Sequence, residues 1–137
     1  MKTRKEYINY LIADLTRQII KSDIKFDVVV GIANGGLHIS IPIAKSLQLP
    51  HKSVRIQTYG SNKTKTHIKV ENIDYIPQLF KNPLLVDDIV DTGATIELYK
   101  EYFGPATIAT LYCKNSSNII PDFYVRKTNQ WIEFPWE

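Results

Sequence analysis

Three short runs, Val28–Val30 in "FDVVVGIA", Leu84–Val86 in "PLLVDD" and Thr107–Cys113, "TIATLYC", carry no charged residue. A strand with one wet face alternates polar and apolar residues. A continuous apolar run reads as a strand buried on both faces. Between these runs the spacing turns helical. Ile8, Leu11, Ile12, Leu15 and Ile19 recur on one face of a helix from Arg4 to about Lys21. A second helix is expected over Leu37–Leu49, with Pro42 near its first turn, and a third over Thr95–Tyr102. Strand, helix and strand alternate. That order predicts an α/β fold, a mostly parallel sheet flanked by helices, with ligands at the carboxyl ends of the strands.

The rest of the chain narrows the class. Lys52–Tyr59 alternates as a strand should and leads into "GSNKTKTH", a polar, basic stretch read as a mobile loop. Ile68–Phe80 has no clear period. With 137 residues the chain is expected to form one domain, residues 1–137, and its 44% apolar and 23% charged content is that of a globular protein. A net charge of +3 suits a small anionic ligand or weak non-specific attraction to nucleic acid and is too mild to establish either; no specific nucleic acid partner is expected. The lone Cys113 excludes an intramolecular disulfide and a cysteine-based metal site, and it reads as a buried small hydrophobe. His38, His51 and His67 have no ligand spacing and are expected in loops or at the surface. The N-terminus is charged and lacks the apolar core of an export signal, and no run reaches the length of a membrane span. A reducing, cytoplasmic setting is expected.

Two loops follow buried strands. In "IANGGL", Ile32–Leu37, Gly35 and Gly36 would allow unusual backbone angles and let main-chain N–H groups approach a phosphate or pyrophosphate; a plain strand-to-helix turn needs glycine as well. In "LLVDDIVDTGAT", Leu84–Thr95, Asp87 and Asp88 leave the strand together, able to bind vicinal hydroxyls or a hydrated cation. Asp91, Thr92, Gly93, Ala94 and Thr95 then open a helix whose N–H groups and hydroxyls can surround a phosphate. An acidic helix cap would explain one of the acids and leave two without a role.

"LLVDDIVDTGAT" resembles the phosphoribosyl-diphosphate signature of the type I phosphoribosyltransferases. "VVVGIANGGL" is similar to the pyrophosphate loop of that family, with Asn34 where many members carry Arg or Lys. "DFYVRKTNQWIEFPWE" is similar to the end of the bacterial xanthine-guanine enzymes. The resemblance implies the family's fold with a small C-terminal hood, magnesium as cofactor, and transfer of a 5-phosphoribosyl group from its diphosphate to a 6-oxopurine. It implies Ala33, Asn34 and Gly35 at the pyrophosphate, and Asp87 and Asp88 at the ribose, Asp88 also as the metal ligand. Asp91, Thr92, Gly93, Ala94 and Thr95 would bind the 5′-phosphate. Asp91 would also exchange a proton with the base. Lys114 would donate to the purine's exocyclic oxygen, Trp131 would stack on the ring, and the main chain of Ile132 would meet its edge. Lys65, with Lys63 as its near competitor, would reach the pyrophosphate. A homo-dimer or homo-tetramer is implied too. The alternatives are another base as acceptor, or a ligand-sensing regulator of the same fold.

Overall fold

The computed structural model describes residues 1–61 and 64–137, and side chains outside 58–68. Its elements run α1 (Lys5–Lys21), β1 (Val28–Ala33), α2 (Leu37–Leu47), β2 (His51–Ser61), β3 (Thr64–Asn72), a 3-10 turn (Pro77–Leu79), β4 (Pro83–Val90), α3 (Ala94–Phe103), β5 (Thr107–Lys114) and β6 (Phe123–Thr128). One sheet has the order β3-β2-β1-β4-β5-β6, parallel throughout except for the antiparallel pair β2 and β3.

The continuous apolar runs are buried on both faces because each face has its own core. Val29 of β1 and Leu84 and Val86 of β4 point to the side covered by α1 and α2, where they meet Leu11, Leu15, Ile39 and Ile43. Val28, Val30 and Leu85 point to the other side, against Ile96 and Tyr99 of α3. Cys113 is buried on that second side.

Chain order reverses between β1 and β4. From β1 the chain proceeds outward to β2 and β3, then returns to place β4 on the opposite flank. Loops leaving the carboxyl ends of two such strands diverge and leave a crevice between them. Here the β1–β4 ladder ends at Gly31 and Val86, whereas β4 continues beside β5 as far as Val90 and Cys113. The crevice therefore opens at the level of Ile32–Ala33 on one side and Asp87–Asp88 on the other.

Several expectations change. Pro42 lies inside α2 rather than in its first turn. The bond it cannot donate would have gone to the carbonyl of His38, an exposed residue, so the helix tolerates it. The stretch read as the loop "GSNKTKTH" is mostly strand: Ser61 pairs with Thr64 and Tyr59 with His67. A hairpin ladder is held by main-chain groups and needs no core-forming side chains, which is why composition misled. Lys63 lies outside the described residues, and only the backbone of Lys65, within β3, is described. His51 is no surface histidine. It is half-buried with its Nε2 2.7 Å from the Oγ of the buried Ser40, tying β2 to α2, and burial lowers its pKa. β6 has no counterpart among the expected strands. No helix among the described residues is long and apolar enough to cross a membrane.

Candidate active site

β4 carries Asp87 and Asp88 into the crevice. Both are half-buried, and each turns an Oδ1 back to accept a main-chain N–H, from Asp88 at 2.9 Å and from Ile89 at 2.8 Å. Desolvation raises the pKa of each carboxyl. At Asp87 the neighbouring Asp88 charge raises it further, well above the usual carboxylate range. Neither forms an ion pair among the described residues.

The glycine loop lies directly against this pair. A Cβ on Gly35 would come within 2.5 Å of Asp88 Oδ2, and one on Gly36 within 2.6 Å of the Ile32 carbonyl and 3.0 Å of Asp87 Oδ1 and the Val86 carbonyl. Gly36 has ordinary helical angles, φ −63° and ψ −21°. Close approach, not an unusual backbone angle, is what demands glycine there, a correction to the conformational argument. Ala33 is buried at the end of β1 and Asn34 is exposed, its Oδ1 accepting from Arg55 Nη2 at 3.1 Å.

Asp91 and Thr92 are exposed beyond β4, and Thr92 Oγ1 accepts the N–H of Ala94 at 3.2 Å. Gly93 turns the chain into α3 at φ +97°, the left-handed region that favours glycine. With Asp87 and Thr95 these residues line a concavity of about 60 Å³. The leading N–H groups of α3 have no intrahelical acceptors and its dipole favours an anion. A divalent, oxygen-seeking cation fits the pair beside this cradle. No group of three or more His, Cys, Asp or Glu side chains able to hold a metal occurs among the described residues. Magnesium is commonly held by one or two carboxylates together with substrate phosphates, so two paired hard-oxygen donors suffice.

Residues 4–137 match the phosphoribosyl transferase domain family. The chain belongs to that family. A xanthine-guanine phosphoribosyltransferase of Cereibacter sphaeroides is 32% identical over 114 residues, 80% of this chain and 68% of that one. Its counterpart from Chromohalobacter salexigens is 32% identical over 126 residues, 90% of this chain and 75% of that one. The crystal structure of a purine phosphoribosyltransferase from Pyrococcus horikoshii matches with a TM-score of 0.84 at 28% identity, covering 100% of this chain and 93% of that one. A Helicobacter pylori xanthine-guanine-hypoxanthine phosphoribosyltransferase shares the fold, with a TM-score of 0.82 at 22% identity over 99% of this chain and 92% of that one.

Other residues of this phosphoribosyl transferase lie further from the paired acids in sequence. Lys114 ends β5, beside Thr128 of β6, at the carboxyl end of the parallel strands, whereas Asp87 pairs with Thr110, earlier in β5. The adjoining Asn115 donates to Asn129 Oδ1 at 2.7 Å, tying the end of β5 to the segment that leads to Trp131. Trp131 is 68% exposed and lines a separate cavity of about 400 Å³ with Lys2, Thr3 and Glu133. Ile132 is buried in the core between two main-chain tethers: Met1 donates to the Trp131 carbonyl, and the Glu133 carbonyl accepts from the N–H and Oγ1 of Thr3 at 3.0 and 2.7 Å.

Three sets of contacts at the phosphoribosyl transferase site had no place in the sequence reading, although Trp136 itself belongs to the C-terminal ending quoted there. Trp136 stacks on His38 at 4.5 Å and on Phe134 at 4.8 Å, its indole nitrogen 3.4 Å from where a Gly35 Cβ would stand. The N-terminal residues brace the 131–133 segment. Arg55 reaches the glycine loop. All three depend on long-range pairing that no local pattern signals.

The raised carboxyls have a measurable consequence. A carboxyl whose folded pKa exceeds its unfolded one binds more proton in the folded state, so the unliganded protein loses stability as pH rises from the ordinary range, about 4, through the raised one. Asp87→Asn removes that loss. Thermal unfolding without ligand or metal should show the variant more stable than wild type near neutral pH, with the gap closing below about pH 4. A gap that widens towards acid would contradict the assignment.

Proposed function

We propose that this phosphoribosyl transferase moves the 5-phosphoribosyl group from 5-phosphoribosyl 1-diphosphate to a 6-oxopurine, xanthine, guanine or hypoxanthine, releasing the nucleoside 5′-monophosphate and pyrophosphate. The observation that carries this reading is the convergence of glycine loop, paired carboxylates and hydroxyl-rich helix start at one crevice, in a chain 32% identical to xanthine-guanine enzymes.

Displacing pyrophosphate from the anomeric carbon builds positive charge on the sugar, so the protein's task is to fix the ribose, hold both anionic ends and orient a weak nucleophile. Asp87 and Asp88 accept from the ribose hydroxyls. The loop Ala33–Asn34–Gly35 presents main-chain groups to the pyrophosphate, and the family resemblance assigns Lys65, or its near competitor Lys63, to the same group. Thr92, Gly93, Ala94 and Thr95 hold the 5′-phosphate. Magnesium, bound by Asp88 directly or through water, would neutralise charge on the leaving pyrophosphate. Asp91 takes or returns the proton at the purine imidazole nitrogen, Lys114 donates to the exocyclic oxygen, and the Ile132 main chain meets the base edge. The ring of Trp131 stacks on the base. Its exposure supports this, because a base laid on it would cover apolar surface now facing water. We further read the protein as a cytoplasmic homo-dimer or homo-tetramer. The exposed Ile73, Ile76 and Leu79 around the 3-10 turn support that, as apolar surface for a partner subunit.

Trp131→Ala tests the division of labour. It should weaken base binding by about 10-fold or more, the loss expected of a stacked base, while donor affinity measured by calorimetry stays within about 2-fold. Equal losses of both would overturn the stacking role.

A further inference from the structure

The glycine loop Ile32–Leu37 contains no Lys or Arg, although the pyrophosphate it is proposed to hold carries several negative charges. Main-chain N–H groups contribute partial charge only. A full cation stands on the next strand. Arg55 is the register partner of Ala33 in the parallel β1–β2 pair, which brings its side chain to the level where the loop begins. Its Nη2 donates to Asn34 Oδ1 at 3.1 Å, and its Nη1 to Glu71 Oε2 at 3.1 Å.

We propose that Arg55 is a pyrophosphate-binding cation of this site, aimed by Asn34 and Glu71 and standing in for a basic residue in the loop. The inference rests on the phosphoribosyl-transfer reading above. Glu71 does not cancel the charge, because its other oxygen lies 2.7 Å from Lys69 Nζ, so one acid is shared by two bases. A guanidinium has more N–H groups than the two these contacts use, and the Arg55 side chain is 32% exposed. Its planar fork suits the oxygens of a phosphate better than an ammonium does. A cross-strand ion pair alone would account for Glu71, its partner in the β2–β3 ladder. It would not account for the bond to Asn34, a residue of the loop. Asn34 thus serves as a short acceptor that holds the cation of another strand over the loop.

The test compares binding of three ligands in the presence of magnesium: 5-phosphoribosyl 1-diphosphate, inorganic pyrophosphate, and guanosine 5′-monophosphate, which lacks the pyrophosphate. Arg55→Ala should weaken the first two by about 10- to 100-fold, the span expected for one charge-assisted contact, and leave the monophosphate within about 2-fold. Arg55→Lys should fall between, keeping charge without the fork. Placing the charge in the loop, Asn34→Arg combined with Arg55→Ala, should recover most of the lost pyrophosphate affinity. Unchanged donor and pyrophosphate affinity in Arg55→Ala, or equal loss of all three ligands without recovery in the double variant, would overturn the assignment alone. Wild-type protein that binds neither donor nor monophosphate would overturn the phosphoribosyl-transfer reading itself, and Arg55's role with it.

Discussion

Asp91→Asn should slow phosphoribosyl transfer by about 100- to 10,000-fold, the range expected when a positioned proton acceptor is lost. Donor affinity should barely change. Asn has nearly the same shape, Asp91 is exposed, and the loop that carries it is fixed independently of its carboxylate. Thr92 Oγ1 accepts from Ala94, the Thr92 carbonyl accepts from Asn118 at 3.4 Å, and Gly93 packs against Ile119. Steady-state turnover together with equilibrium titration of 5-phosphoribosyl 1-diphosphate separates the two quantities. Equal loss in both would make Asp91 a donor ligand and leave the base without a proton partner.

Gly36→Ala should be nearly as damaging, for a steric reason. The added methyl would stand 2.6 Å from the carbonyl oxygen of Ile32 and 3.0 Å from that of Val86. Both are main-chain atoms of central strands, so neither can rotate aside. The loop has to lift, and a displacement of about 1 Å is enough to cost on the order of 100-fold in rate. Overpacking at this point should also lower stability by about 1–3 kcal/mol, measured by denaturant unfolding. Gly35→Ala makes an instructive comparison: its closest obstacle is Asp88 Oδ2, a side-chain atom that can move. That variant should keep stability better than Gly36→Ala while still disturbing Asp88. Full activity in Gly36→Ala would show that the close packing of loop on strand is dispensable.

What could be read from the sequence follows from how local each signal is. β1, β4 and β5 are legible because central strands covered on both sides need unbroken apolar runs. β6 is an edge strand, only partly buried along Phe123–Val125 and exposed at Arg126 and Lys127, so nothing in its pattern sets it apart from a loop. The hairpin ends of β2 and β3 were missed because polar residues paired only through main-chain groups look like a loop. The candidate site divides the same way. Asp87, Asp88 and Asp91–Thr95 all fall within one short segment at one strand end, and that segment of sequence exposes them all. Arg55 is invisible there. Its neighbours Val54 and Ile56 face the core, which marks Arg55 only as a residue on the other side of a strand. That it meets Asn34 depends on β2 lying beside β1 in a register that pairs Ala33 with Arg55. Gly36 was legible as a glycine that matters, but the reason, two carbonyls within contact distance, needs three dimensions.

The proposed reaction can be tested directly by incubating wild-type protein with magnesium, 5-phosphoribosyl 1-diphosphate and, one at a time, xanthine, guanine, hypoxanthine, adenine, uracil and orotate, and measuring nucleotide and pyrophosphate. Stoichiometric nucleoside 5′-monophosphate and pyrophosphate with at least one 6-oxopurine, and little with adenine or the pyrimidines, is the expected result. Donor binding without turnover of any base, or turnover confined to adenine or a pyrimidine, would contradict it.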